Sequence, residues 1–405
     1  MRIILAAIYP YVFILLYLVI PFDEYVRILP NILMLILIVI FPIIINKKDL
    51  KKIAKVSMFL LLLFLIYLLT NSFVQGRLEV DFVYLKTIMI PLGIVFLYVP
   101  ITDFKKVNKA IIFSSFIAIV YSLIKFLILV NQNTDVSINF FQETVDALLI
   151  DRIYVGLLCV LSVIISYKSI TKQFHPDNKY YLISMVLNVT YLLLIMSKTA
   201  IVILLFVAVL RQFYGKDKKI RLGATAIILA FLAITSYFKL PNNIENTFKP
   251  QKDISEVTYT GSTIPLSYRS LIWDCALKIT KDSNTNFFGI GFRETSDRLV
   301  NCYENEIEDL NTKQNFINKR FNTHNQYFDF YISSGLISII LFVGILIYLF
   351  FKKHKDYYST SLLLSIILFG LVENYFHRQV GAYYIGFVLV ILLINNKNVA
   401  KNIEC

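Results

Sequence analysis

Long apolar runs of about 15–25 residues recur along this chain, close to the length a helix needs to cross the hydrocarbon core of a bilayer. Twelve are counted, at roughly 3–20, 28–45, 56–74, 80–99, 110–130, 153–167, 180–196, 199–214, 222–238, 327–351, 358–374 and 379–395. They are continuously apolar rather than alternating, which selects helices over barrel strands. Apolar residues fill 57% of the 405 positions, more than one soluble core of this length needs. The expected fold class is therefore all-α: a polytopic membrane protein with about 12 transmembrane helices and one large external loop between helices 9 and 10. The first run ends in Pro21-Phe22-Asp23-Glu24, not a small-x-small cleavage site, so it reads as a retained span.

The charges set an orientation. With the N-terminus cytoplasmic, one set of loops carries Lys47, Lys48, Lys51, Lys52 and Lys55, then Lys105, Lys106 and Lys109, then Lys168, Lys172 and Lys179. The same side continues with Arg211, Lys216, Lys218, Lys219 and Arg221, with Lys352, Lys353 and Lys355, and with Lys397 and Lys401 in the tail. Short loops on the other side are acidic or balanced, as at Asp23, Glu24 and Arg27, at Arg77, Glu79 and Asp81, and at Asp135, Glu143, Asp146, Asp151 and Arg152. This is the positive-inside pattern, and it predicts both termini in the cytoplasm and the long segment outside. The net charge of +13 is then a topogenic signal. Its basic residues are divided among short loops rather than gathered on one face, which argues against a nucleic-acid partner.

Three regions follow: 1–238 with helices 1–9, 239–326 as the external loop, and 327–405 with helices 10–12 and a cytoplasmic tail. Within the loop, a short amphipathic helix is expected from Ser270. Ile272, Cys275, Ala276 and Ile279 share one face, with Ser270, Asp274, Lys278 and Lys281 opposite. It suits the outer membrane surface, with Trp273 at an interfacial position. Phe287-Phe288-Gly289-Ile290-Gly291-Phe292 reads as a turn, and its G-x-G lacks the βαβ setting of a dinucleotide site. Residues 301–322, with Glu304, Glu306, Glu308 and Asp309, read as a solvated loop rather than a metal site. Cys275 and Cys302 both fall in this segment, where a disulfide is permitted and coincidence is the alternative. Cys159 and Cys405 read as unpaired.

Cations remain at the outer level, where the positive-inside rule disfavours them: Lys86, Lys125, Arg152, Lys198, Arg269 and Arg378. Each alone can be a snorkelling helix-end residue, and Arg152 can simply pair with Asp151. Together they suit an anionic ligand, because guanidinium forks and ammonium charges both bind phosphate. His324 and Asn325 stand where the external segment meets the tenth run. One reading makes Asn325 a helix N-cap and His324 a local hydrogen-bonding group. The other makes His324 a base, since histidine titrates near pH 6.5 and can take a proton from a hydroxyl. If the helix includes His324, Tyr327 and Tyr331 share its face, as aromatic rings beside a base would for a sugar. Asn325 and Asp329 would share another face.

Three segments resemble the O-antigen polymerase and O-antigen ligase superfamily of bacterial surface-polysaccharide assembly, the Wzy-type proteins. SKTAIVILL at 197–205 is similar to the family's S-[RK]-[TG] turn into an apolar helix. YRSLIWDCALKITKDSNTNFFGIGF at 268–292 is similar to its R-x3-W segment followed by G-x-G. THNQYFDFYISSGLISIILF at 323–342 is similar to its His-Asn segment running into a helix with a later glycine. Lys198 departs from the arginine common at that turn. The resemblance implies a bacterial plasma-membrane enzyme that uses glycans on undecaprenyl diphosphate at the outer face, without cofactor or metal. Chain-length regulators and other polysaccharide assembly proteins are the implied partners. On this reading His324 is the base, and Asn325 orients it or a sugar hydroxyl. Arg152, Arg269, Lys198 and Lys86 bind diphosphate, and Tyr327 and Tyr331 face the sugar. A polymerase, a ligase to lipid A-core or protein, a lipid-linked glycan flippase and a non-catalytic assembly partner are the functions to separate.

Overall fold

A computed structural model describes residues 1–23, 25–101, 104–132, 148–171, 175–214, 266–281 and 287–394. The ninth run at 222–238 and the opening of the external segment at 239–265 lie outside the described residues. So do the loop charges at Glu24, Asp135, Glu143, Asp146, Lys172, Lys216, Lys218, Lys219 and Arg221, and the tail with Lys397, Lys401 and Cys405.

Every regular element among the described residues is helical. In chain order these are α1 (Arg2–Val19), α2 (Leu29–Ile44), α3 (Lys47–Leu50), α4 (Lys55–Val74), α5 (Leu78–Tyr98), α6 (Phe104–Gln132), α7 (Arg152–Ser169), α8 (Asn178–Leu194) and α9 (Lys198–Arg211). They continue with α10 (Leu266–Lys281), α11 (Phe292–Glu306), α12 (Leu310–Lys319), α13 (Gln326–Lys353), α14 (Tyr357–Gly370) and α15 (Gln379–Leu393). Eleven of the twelve apolar runs coincide with helices; six helices among the described residues are long and apolar enough to cross a membrane. Apolar side chains turn outward along α2, as at Ile32, Leu35 and Val39, while Leu33 and Leu37 turn inward. An exposed apolar face on a helix of this kind suits contact with lipid.

The hub is α15. Every residue from Val380 to Leu393 is buried, and the helix packs most extensively along α5. Small residues permit that closeness: a Cβ on Gly386 would lie 2.6 Å from Ile94. A serine and asparagine ladder joins α6, α7 and α8, with Ser115 Oγ donating to Ser162 Oγ at 2.9 Å and Asn188 Nδ2 to the same oxygen at 3.2 Å.

The segment before α13 departs from expectation. Residues 301–322 are not a solvated loop: they complete α11 and form α12, whose N-cap Asp309 accepts from Thr312 N–H at 2.7 Å. The reason is a second small core. Tyr268, Ile272, Cys275, Ala276 and Ile279 of α10 are buried with Leu299, Tyr303, Ile307 and Phe316. The apolar face of α10, read from sequence as membrane-facing, is thus covered by protein. Cys275 and Cys302 are disulfide-bonded and tie α10 to α11. Trp273 donates to Thr323 O at 3.1 Å and so fastens this subdomain to the approach of α13.

The two glycine-bearing segments meet. α13 breaks at Gly335 (φ 78°, ψ −177°), and the released carbonyls of Ile332 and Ser333 accept from Ile290 N–H at 2.9 Å and Gly291 N–H at 2.8 Å. Asp81, buried in α5, accepts from Phe292 N–H at 2.9 Å and Arg293 N–H at 3.2 Å and so caps α11 from another helix.

Candidate active site

The turn before α13 and the turn between α14 and α15 are laced together residue by residue. Asn374 Nδ2 donates to Thr323 Oγ1 at 2.9 Å, and Asn325 Nδ2 donates to Leu371 O at 3.1 Å. Phe376 N–H donates to Gln326 Oε1 at 3.2 Å. Between these rungs His324 Nδ1 lies 3.1 Å from Glu373 Oε2, and His377 Nε2 lies 2.9 Å from Asp329 Oδ2. Glu373 and Asp329 are nearly sealed, at 8% and 3% side-chain exposure, while both imidazoles keep an open edge at 14% and 15%.

His324, Asp329, Glu373 and His377 all face one cavity of about 640 Å³. Tyr84 from α5, Tyr154 from α7, Phe292 from α11 and Phe321 supply aromatic wall; Arg293, Lys319, Arg320 and Arg378 supply cations. Asp151 pairs with Arg378. Arg320 pairs with Asp297. Ligand-binding cavities typically measure about 300–1,000 Å³ and carry a few fixed polar groups, and this one falls within that range.

The electrostatics divide the two pairs. Burial would raise the Glu373 pKa, but the adjacent His324, then Arg269 and His377, outweigh it and hold the carboxyl below the usual glutamate value. Burial likewise disfavours a charged His377, yet Asp329, then Glu373, outweigh it and raise the pKa above that of an ordinary histidine. With Glu373 ionised, His324 Nδ1–H donates to it, and Nε2 lies outside that hydrogen bond.

Several expected residues sit elsewhere. His324 precedes α13 with φ 42°, so it is not helical and shares no helix face with Tyr327 and Tyr331. The cause is Asn325, whose Oδ1 accepts from Tyr327 N–H at 2.9 Å and Phe328 N–H at 3.1 Å and starts the helix one residue later. That amide is committed to capping and to Leu371, and it does not hydrogen-bond His324. Tyr327 turns inward, donating to Ile367 O at 3.1 Å beside Phe342. Tyr331 packs on the α10–α12 core. Lys86 is exposed on the outward face of α5 with Phe82 and Val83, and Lys198 is exposed at the first turn of α9. Arg152 donates to Ile195 O at 3.4 Å and lies near enough to Arg269 for their charges to interact, and Arg269 in turn interacts with Glu373. Neither guanidinium is among the cavity-lining groups, yet both stand next to the His324–Glu373 pair or to each other. Among the described residues, no three His, Cys, Asp or Glu side chains converge as metal ligands would.

Glu373, His377 and Tyr84 escaped the sequence reading, and Asp329 entered it only as sharing a helix face with Asn325. A signal existed for the first two. Glu373-Asn374-Tyr375-Phe376-His377-Arg378 interrupts two apolar runs, and Glu373 is the one acidic residue between Tyr357 and Ile394. The run at 358–374 was drawn through it; the helix ends at Gly370.

Residues 183–343 match a family model described as O-antigen ligase. The match takes in the Ser197-Lys198-Thr199 turn, Arg269, the glycine turn and His324. No curated protein matches the chain. Over these residues, and in the ordered motifs that they contain, the chain is similar to the O-antigen ligase family.

Proposed function

We propose that the chain is a membrane glycosyltransferase that joins undecaprenyl-diphosphate-linked repeat units into longer surface glycan at the outer face of the bacterial plasma membrane. The observation that carries this reading is His324, held 3.1 Å from a buried Glu373 and opening on a cavity large enough for a short glycan. The acceptor hydroxyl gives its proton to His324 as its oxygen attacks the anomeric carbon. The bond from that carbon to the diphosphate breaks, and cations neutralise the departing charge. Arg152 and Arg269 take that role, with Lys198 and Lys86 at greater remove. The disulfide between Cys275 and Cys302 supports an external position for residues 239–326, because oxidising compartments favour it.

The acceptor is a second lipid-linked repeat in a polymerase. The modest external segment supports that reading. Transfer to lipid A-core or protein is the second reading, favoured by the ligase description of the matching family model. Gel analysis of surface glycan after gene deletion separates them. Loss of a polymerase leaves single repeats on the acceptor, and loss of a ligase leaves long chains on undecaprenyl diphosphate. Absence of any external glycan would mark a flippase and end the transfer reading.

A further inference from the structure

Base-assisted glycan transfer leaves one histidine of the cavity without a task. His377 Nε2 lies 2.9 Å from the nearly sealed Asp329, and both residues line the cavity that His324 enters. The Tyr84 ring packs at a tilt against the imidazole, centroids 5.0 Å apart, and is itself stacked on Phe292 at 5.7 Å. The charged and titratable groups around His377 are Asp329 from α13, Glu373 and Arg378 from its own turn, and Tyr84 from α5. Arg293 from α11 and Arg320 at the end of α12 line the same cavity. The balance of these groups favours the imidazolium, as described above. His324 is paired with Glu373 through Nδ1, and His377 with Asp329 through Nε2. The cavity therefore holds two histidine–carboxylate pairs bonded through opposite ring nitrogens, a setting for an acid and a base acting together.

We propose that His377 is the proton donor of the reaction, delivering its Nδ1 proton to the diphosphate oxygen that leaves the sugar. The inference rests on the glycan-transfer reading. The acceptor O–H proton passes to His324 while the new carbon–oxygen bond forms at the anomeric carbon. The carbon–oxygen bond to the diphosphate breaks, its electron pair stays on that oxygen, and the oxygen takes the proton of His377. The proton gained by His324 and the one given up by His377 are then exchanged with water, which restores both imidazoles. Overall, one hydroxyl proton has moved to the released diphosphate, and no external acid or base is consumed.

The experiment is a pH–rate profile of the full-length protein in nanodiscs, from about pH 5 to pH 10, with its lipid-diphosphate-linked repeat unit as substrate. The wild type should give a bell, with an alkaline limb above the ordinary histidine value of about 6.5. His377→Gln should lower the plateau by about 10²-fold, the low end for acid assistance because diphosphate already leaves readily. It should also abolish the alkaline limb and keep the acid one. Asp329→Asn, which keeps the size of the side chain, should move the alkaline limb to lower pH. An unchanged alkaline limb in either folded variant would overturn the assignment of His377. A wild type inactive on every lipid-linked glycan would instead sink the transfer reading itself.

Discussion

Gly289 and Gly335 lie backbone against backbone, leaving no room for a side chain on either. A Cβ on Gly289 would sit 2.4 Å from Ser334 N, and one on Gly335 would sit 2.1 Å from Phe287 O. Both also hold positive φ, 68° and 78°. This contact sets the register between the α10–α12 subdomain and α13, and hence the position of His324 relative to Arg293 and Phe292.

Gly335→Ala should therefore destabilise by at least the roughly 1–3 kcal/mol of a strained backbone position, with the clash added to it. Gly344, whose Cβ would meet nothing within 4 Å, should accept alanine with little change. Thermal unfolding of purified protein in detergent compares the two. Equal midpoints would show that α13 does not need its break.

Arg152→Ala and Arg269→Ala should each insert normally but turn over about ten- to a hundred-fold more slowly. That is the effect of losing a charge-assisted hydrogen bond of about 1.5–3 kcal/mol. Lysine should restore activity only in part, since the fork geometry is lost. Normal glycan length at normal protein level in both alanine variants would make them structural residues.

The helices, their order and the His-Asn segment were legible because each rests on local information: apolar continuity, charge bias, and an asparagine where a helix starts. The rest depended on pairing across the fold. His324 gains its character from Glu373, placed by hydrogen bonds from Asn374 to Thr323 and from Asn325 to Leu371, and no local pattern announces such partners. The polar residues 301–322 looked solvated because their apolar content is sparse. Leu299, Tyr303 and Phe316 suffice to bury α11 and α12 once α10 supplies the other half of the core. Tyr327 and Tyr331 misled for the opposite reason: their spacing is right, but the helix starts after His324.

Glu373→Gln tests the partner of His324. A glutamine amide can donate to Nδ1 and leave the proton on Nε2, the wrong tautomer for a base, so turnover should fall by about 10²–10⁴-fold. The pH sign follows from the depressed carboxyl. Its stabilisation is fully present above the ordinary glutamate value of about 4.3 and is lost as pH falls through the lower folded value. Unfolding midpoints should therefore drop on the acid side of about pH 4.3 in the wild type, and this part of the drop should vanish in Glu373→Gln. A variant with wild-type turnover and an unchanged acid transition would uncouple Glu373 from His324.

Turnover of His324→Gln on lipid-linked repeat units is the most direct measurement. Glutamine keeps a hydrogen-bonding group near Glu373 but cannot take up a proton. General-base assistance contributes about 10²–10⁴-fold, so polymerisation should fall by that factor while binding of the lipid-linked substrate stays near normal. A His324→Gln protein that polymerises at close to the wild-type rate would contradict the account, leaving His324 to hold the turn before α13 and nothing more.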